Sequence, residues 1–168
     1  MLTTREFWAG LLNLFDNKSG IAYNTIMKKY KIVIDTNVIV SALKSRNGYF
    51  FKLLSIIDDK RFQISISVPL ILEYEDAIKR EKSKIGLNNE DIGDILDYIC
   101  YAGQKRTIYY LWRPYLSDPK DDMILELAVE SESDIIITFN KVDFREVDKF
   151  GIKLLTPKEF FRLIGEIK

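Results

Sequence analysis

Two short runs, KIVID at 31–35 and DIIIT at 134–138, constrain the architecture more than any other feature of the chain. Ile32, Val33 and Ile34, and again Ile135, Ile136 and Ile137, are consecutive β-branched residues with no polar alternation. A strand that shows neither face to water belongs in a sheet covered on both sides, which is the usual setting of parallel strands. Each run ends in short polar side chains: Asp35, Thr36 and Asn37 after the first, Thr138 and then Asn140 after the second. An acid at the end of so apolar a strand asks for a chemical reason.

Further elements alternate around these two strands. RFQISISVP reads as a strand over Phe62–Ser67, closed by Pro69 at the first position of a helix that runs to about Glu81. A helix from about Gly48 to Asp58 precedes it. KSKIGLNNE reads as a loop, after which Asn88 or Asn89 caps a helix reaching Cys100 and stopping at Gly103. KRTIYYLW suggests a short strand from about Arg106. In LSDPKDD, Asp118 takes the N-cap place, Pro119 the first helical position and Asp121 the third, and the helix carries Met123, Ile124, Leu127 and Ala128. GIKLLT gives a last strand, and Thr156, Pro157 and Glu159 spell a capping box for a terminal helix. Strands alternating with helices imply an α/β domain with a mostly parallel central sheet over 30–168. Residues 1–29 differ: apolar faces over 4–15 and around 21–29 predict a helical N-terminal extension.

The 168 residues contain no histidine and one cysteine, Cys100. Histidine-based acid–base catalysis, nucleophile–histidine pairs, zinc sites of His or Cys and disulfide frameworks are thereby excluded. Any catalysis must use carboxylates, lysine, tyrosine, an oxygen-liganded metal or a cofactor. Lys and Arg balance Asp and Glu at 25 each, so only local clustering speaks to nucleic-acid binding. No apolar run approaches the roughly 20 residues that span a bilayer, and the first residues lack a signal-peptide pattern, so a cytoplasmic location is expected.

The acids fall in a pattern. In an open parallel sheet, ligands bind beyond the C-terminal strand ends, near the point where strand order reverses. Asp35 follows the first strand directly, Glu73 lies early in the helix after the second, Asp121 early in the helix after Asp118, and Asn140 and Asp143 follow the strand at 135–138. A parallel sheet brings all of these to one edge. Carboxylates gathered without histidine repel one another unless they hold a hard cation, and Mg²⁺ or Mn²⁺ takes such oxygen ligands. Individually each acid has a plainer reading. Asp35 and Asp118 serve as helix caps, Glu73 as a charge favoured by a helix N-terminus, and Asp122 with Glu126 as a solvated helix face. The case for a metal site lies in coincidence of place.

IVIDTNVIVSAL, ISVPLILEYEDAI, DPKDDMILELAVESESDIIITFN and GIKLLTPKEF, in that order and spacing, resemble the PIN domain, and within it the VapC-type toxins of toxin–antitoxin pairs. The likeness covers about residues 30 to 164. It implies a three-layer α/β/α fold and a Mg²⁺- or Mn²⁺-dependent ribonuclease. It implies that Asp35, Glu73 and Asp121 are the first three acids, supported by Thr36, Asn37 and Thr138. Where many members carry an acid after the strand-end threonine, this chain has Asn140, with Asp143 three residues on. Asn140 and Asp143 complete the ligand shell in that reading, with Asp143 as the fourth catalytic acid. The resemblance also implies an RNA substrate, a small antitoxin partner and a homodimer. Candidate RNA contacts are Lys79, Arg80, Lys82 and Lys84, then Lys105, Arg106 and Arg113 beside the Tyr109–Trp112 aromatics.

Two other classes stand beside the toxin nuclease. One is a PIN-fold module with weak catalysis that binds RNA or a partner, and the other a housekeeping RNA-processing nuclease. An aspartyl-phosphate phosphatase needs a second Asp two residues after the first, where Asn37 stands. No glycine-rich phosphate loop supports nucleoside-triphosphate chemistry.

Overall fold

The computed structural model describes residues 28–45 and 49–167. Strands β1 (Tyr30–Ile34), β2 (Phe62–Ile66), β3 (Gln104–Lys105), β4 (Ile135–Ile137) and β5 (Lys153–Leu155) form one sheet in the order β3-β2-β1-β4-β5. Every pairing is parallel, with Ile32 opposite both Ile64 and Ile135, and Ile137 opposite Leu155. β1 is therefore central, and Ile32, Val33, Ile135, Ile136 and Ile137 are sealed from solvent. Their lack of alternation is the signature of burial on both faces.

Helices α1 (Thr36–Lys44), α2 (Tyr49–Ser55), α3 (Val68–Ile85), α4 (Asn89–Ala102), α5 (Asp122–Glu130) and α6 (Pro157–Leu163) complete the three-layer α/β/α fold. α1 packs on α2 and α3, and α3 on α4, while α5 lies against β1, β2 and β4. One apolar core runs from Ile32 to Ile164. The caps of α4 and α6 are those the sequence spells. Asn88 accepts from Asp91 N at 2.9 Å, and Thr156 N donates to the Glu159 carboxylate at 2.6 Å.

The structure corrects the sequence reading in several places. The helical stretch expected around 21–29 does not include Lys28 and Lys29, which lead straight into β1; its remainder and the helix over 4–15 lie outside the described residues. α3 continues past Glu81 to Ile85, where Gly86 stops it in the left-handed region at φ +75°. The strand expected from Arg106 is instead the two-residue β3 just before it. Arg106 N makes the last bond to β2, to Ile66 O at 2.8 Å. Beyond that the chain leaves the sheet, and Trp112 N donates to the Glu126 carboxylate at 3.1 Å. Asp118 is not the N-cap of α5. It closes a turn by accepting from Lys120 N at 2.9 Å, and Asp121 takes the N-cap place. Asp122 and Glu126 are not a solvated face, being 0% and 2% exposed. With the sheet on one side and segment 112–116 on the other, α5 has little free face. Its acids accept the segment's N–H groups: Leu116 N to Asp122 Oδ1 at 2.8 Å and Arg113 Nη2 to Glu126 Oε2 at 2.9 Å.

Candidate functional site

From β1 the chain moves outward through β2 to β3, then returns to the other side for β4 and β5. The order therefore reverses between β1 and β4, and the crevice beyond that pair is where an open parallel sheet places its ligands. Asp35 leaves β1 there, and Thr138 and Asn140 leave β4 beside it. Asp35 is 3% exposed, and both of its carboxylate oxygens accept hydrogen bonds. Its Oδ2 accepts from Thr138 Oγ1 and from Asn37 Nδ2, each at 2.6 Å. Its Oδ1 takes the Asn37 N–H at 3.4 Å, which makes it the N-cap of α1 as well. Thr138 in turn accepts from Asn140 N at 3.0 Å, so one short relay ties both strand ends together. The Tyr74 hydroxyl donates to the Ile34 carbonyl and pins α3 to the last residue of β1. Glu73, its neighbour on α3, lines the same cleft as Asp35.

A cleft of about 470 Å³ opens here, lined by Asp35, Glu73, Asp121, Asn140 and Asp143 among others. Thr36 and Asn37 line it too. The electrostatics are those of crowded negative charge. Burial raises Asp35 above the usual carboxylate range, against hydrogen bonds from Thr138 and Asn37 that pull it down. Asp121 is pushed up to about 7, first by burial and then by the charges of Asp35, Asp118, Asp143 and Asp122.

Residues 31–142 match the sequence profile of the PIN domain. The chain belongs to the PIN domain family. An uncharacterized protein of Methanocaldococcus jannaschii is similar to this PIN chain, 30% identical over 144 residues, covering 79% of this chain and 90% of that one. Among solved structures, VapBC2 from Rickettsia felis, bound to a DNA fragment from its promoter, is alike in fold. It matches with a TM-score of 0.53 over 74% of this chain and 98% of that chain, at 16% identity. Membership places the protein in a family of nucleases that generally use divalent metal ions.

The donors of this PIN domain fit such an ion. All are oxygen or amide groups, the set that Mg²⁺ and Mn²⁺ accept. Thr36 Oγ1 is buried with no hydrogen-bond partner beside them. Among the described residues no three acids close into a finished cage; they line a shared space instead. Asn140 Nδ2 and the Asp143 carboxylate bond each other across that space.

Of the basic residues singled out in the sequence, Arg80 alone reaches the cleft, pairing there with Glu73 at 3.3 Å. Lys79 pairs with Glu75, Lys84 with Glu81 and Arg113 with Glu126, while Lys82 bonds Asn89. Lys105 and Arg106 stand at a second pocket. The cleft also takes Lys44, Glu81 and Lys120, which the sequence does not single out, and Asp118, expected only as a cap. A signal for two of them existed. On α1 the cleft takes Thr36, Asn37, Val40, Ser41 and Lys44, and on α3 it takes Glu73, Ala77, Arg80 and Glu81. Each set is a single helical stripe extending from a residue already chosen.

Proposed function

We propose that this PIN protein is a Mg²⁺- or Mn²⁺-dependent endoribonuclease. The observation that carries the reading is the convergence of Asp35, Glu73, Asp121, Asn140 and Asp143, from separate elements, on one cleft at the switch point of the sheet. Asp35, Glu73 and Asp121 would hold the ion, with Asn140 and Asp143 completing the shell directly or through water. When bound, the ion would supply water activation and charge stabilisation at phosphorus.

The chain's own groups prepare that site. Thr138 and Asn37 fix the Asp35 carboxylate by donating to the same oxygen, which leaves little rotamer freedom to lose on binding. Burial and the neighbouring acids push the Asp121 carboxyl up to about 7, and a bound cation would favour its ionised form. Lys44, Arg80 and Lys120 rim the acids and supply cations to a phosphodiester backbone that the acids alone would repel. The expected products carry 5′-phosphate and 3′-hydroxyl ends. The likeness in fold to VapBC2 favours a toxin restrained by a small antitoxin; a cytoplasmic location and a homodimer are part of the same proposal and rest on the family resemblance alone.

The test is cleavage of a pool of structured and single-stranded RNAs in Mg²⁺ or Mn²⁺, beside EDTA and Asp35→Asn. Asparagine keeps the N-cap of α1, so the variant should fold. Cutting should vanish in EDTA and fall by more than about 100-fold in the variant, since even changes to the groups that orient metal ligands cost about 10–100-fold. RNA binding without cutting in either metal, unaltered by Asp35→Asn, would move the protein to the class of binding modules.

A further inference from the structure

A second concavity, of about 280 Å³, lies at the same sheet edge on the other side of the first turn of α3. Its walls are aliphatic: Ile66 at the end of β2, then Val68, Ile71 and Leu72 of α3. Val68 and Leu72 are 73% and 57% exposed, unusual for apolar residues that flank a preformed hollow. Its polar groups are donors in want of acceptors. Ser67, 4% exposed, occupies the N-cap place of α3 without capping it, and its Oγ has no hydrogen-bond partner. The Arg106 Nε is likewise buried and unpartnered. Lys105 and Arg106 line the pocket, and neither has a carboxylate partner among the described residues, whereas Lys79, Arg80, Lys84 and Arg113 all do.

An apolar hollow with an idle hydroxyl, an idle guanidinium N–H, a lysine and the N-terminus of an 18-residue helix calls for an apolar body bearing one anionic group. Leu72 faces this pocket and Glu73, its neighbour, faces the acidic cleft. The two concavities therefore flank one turn of α3, and a single strand crossing that turn meets both. The chain carries no net charge and its cleft is acidic, so a basic pocket beside it adds to the cations that rim the cleft.

Resting on the ribonuclease reading, we propose that this pocket is a nucleotide subsite. It receives the base of one unpaired nucleotide of the substrate against Val68, Ile71 and Leu72, and that nucleotide's phosphate at Ser67, Lys105 and Arg106.

The experiment is a titration of the full chain with uridine 5′-monophosphate, uridine and inorganic phosphate, in EDTA, followed by amide NMR. EDTA separates this pocket from any metal-held phosphate. The monophosphate should bind more tightly than either fragment and shift amides within 66–72 and 105–107. Arg106→Gln should weaken it about ten-fold, as for loss of one charged hydrogen bond. Leu72→Asp, at an exposed position that folding does not depend on, should weaken it at least as much. Equal binding in both variants, or shifts confined to the acidic cleft, would overturn the subsite. So would failure of the monophosphate where a short aliphatic peptide with a free carboxylate binds, since that would make the pocket a protein-docking site. Nucleotide binding here in a chain that cuts no RNA would retain the subsite and discard the nuclease; cutting without it does the reverse.

Discussion

The Asp121 carboxyl, pushed up to about 7 from an ordinary 3.8, is half-buried among negative neighbours. Its folded-state value lies above its unfolded one, so its contribution to stability is fully present below about pH 4 and is lost as pH rises toward 7. Allowing for solvent screening of a half-exposed group, the loss is at most about 2 kcal/mol. Urea unfolding of the metal-free protein in EDTA should therefore show stability falling across that window, with a flatter profile for Asp121→Asn. Parallel profiles would mean that the crowding of charge has no consequence for folding. Residues differ in how openly the sequence declares them. Asp35 was legible because an acid directly after a strand with no polar alternation has few roles to fill besides capping a helix or holding a ligand. Asp122 and Glu126 were not, because acids four apart on a helix look the same whether they face water or a chain segment. Their burial depends on the path of residues 112–116, which no local pattern specifies.

Among the elements, α5 makes the least local sense, since it hides two acids. Glu126 is 1% exposed at its side chain and its partner Arg113 is 45% exposed. Removing the cation alone strands a buried carboxylate, while removing both charges leaves only hydrogen bonds to rearrange. Arg113→Met should cost about 2–3 kcal/mol in urea unfolding. Adding Glu126→Gln, which still offers an oxygen to Trp112 N, should recover part of that loss. A double variant as unstable as the sum of the singles would show that the pair is not coupled. Helix ends marked by local chemistry were legible, as with Asn88 and Thr156. The end of α3 was misplaced because Lys82–Lys84 look like loop, yet cations suit the last turn of a helix that Gly86 terminates. The strand read into 106–112 had the right composition and lacked a partner, because Glu126 takes the Trp112 N–H that a sheet would need.

At the scale of the whole molecule, the order of the strands decides where the acids meet. Two runs of β-branched residues were enough to infer a parallel sheet and one shared edge; that β1 and β4 are neighbours across the reversal was not written in either run. If the cleft holds a cation, binding must stabilise the fold it depends on, by about 2.7 kcal/mol at a concentration 100 times the dissociation constant. Mn²⁺ should raise the thermal midpoint of the wild type and leave that of Asp35→Asn nearly unchanged; equal shifts in both would place the ion elsewhere. The reversal of strand order also bears on how the chain is made. Asp35 and Glu73 leave the ribosome well before Asp121, Asn140 and Asp143 exist to face them, and β4 must insert beside β1 before the two halves of the cleft confront each other. A chain still being synthesised therefore carries acids but no complete cleft until the residues through Asp143 have been translated and β4 has joined β1.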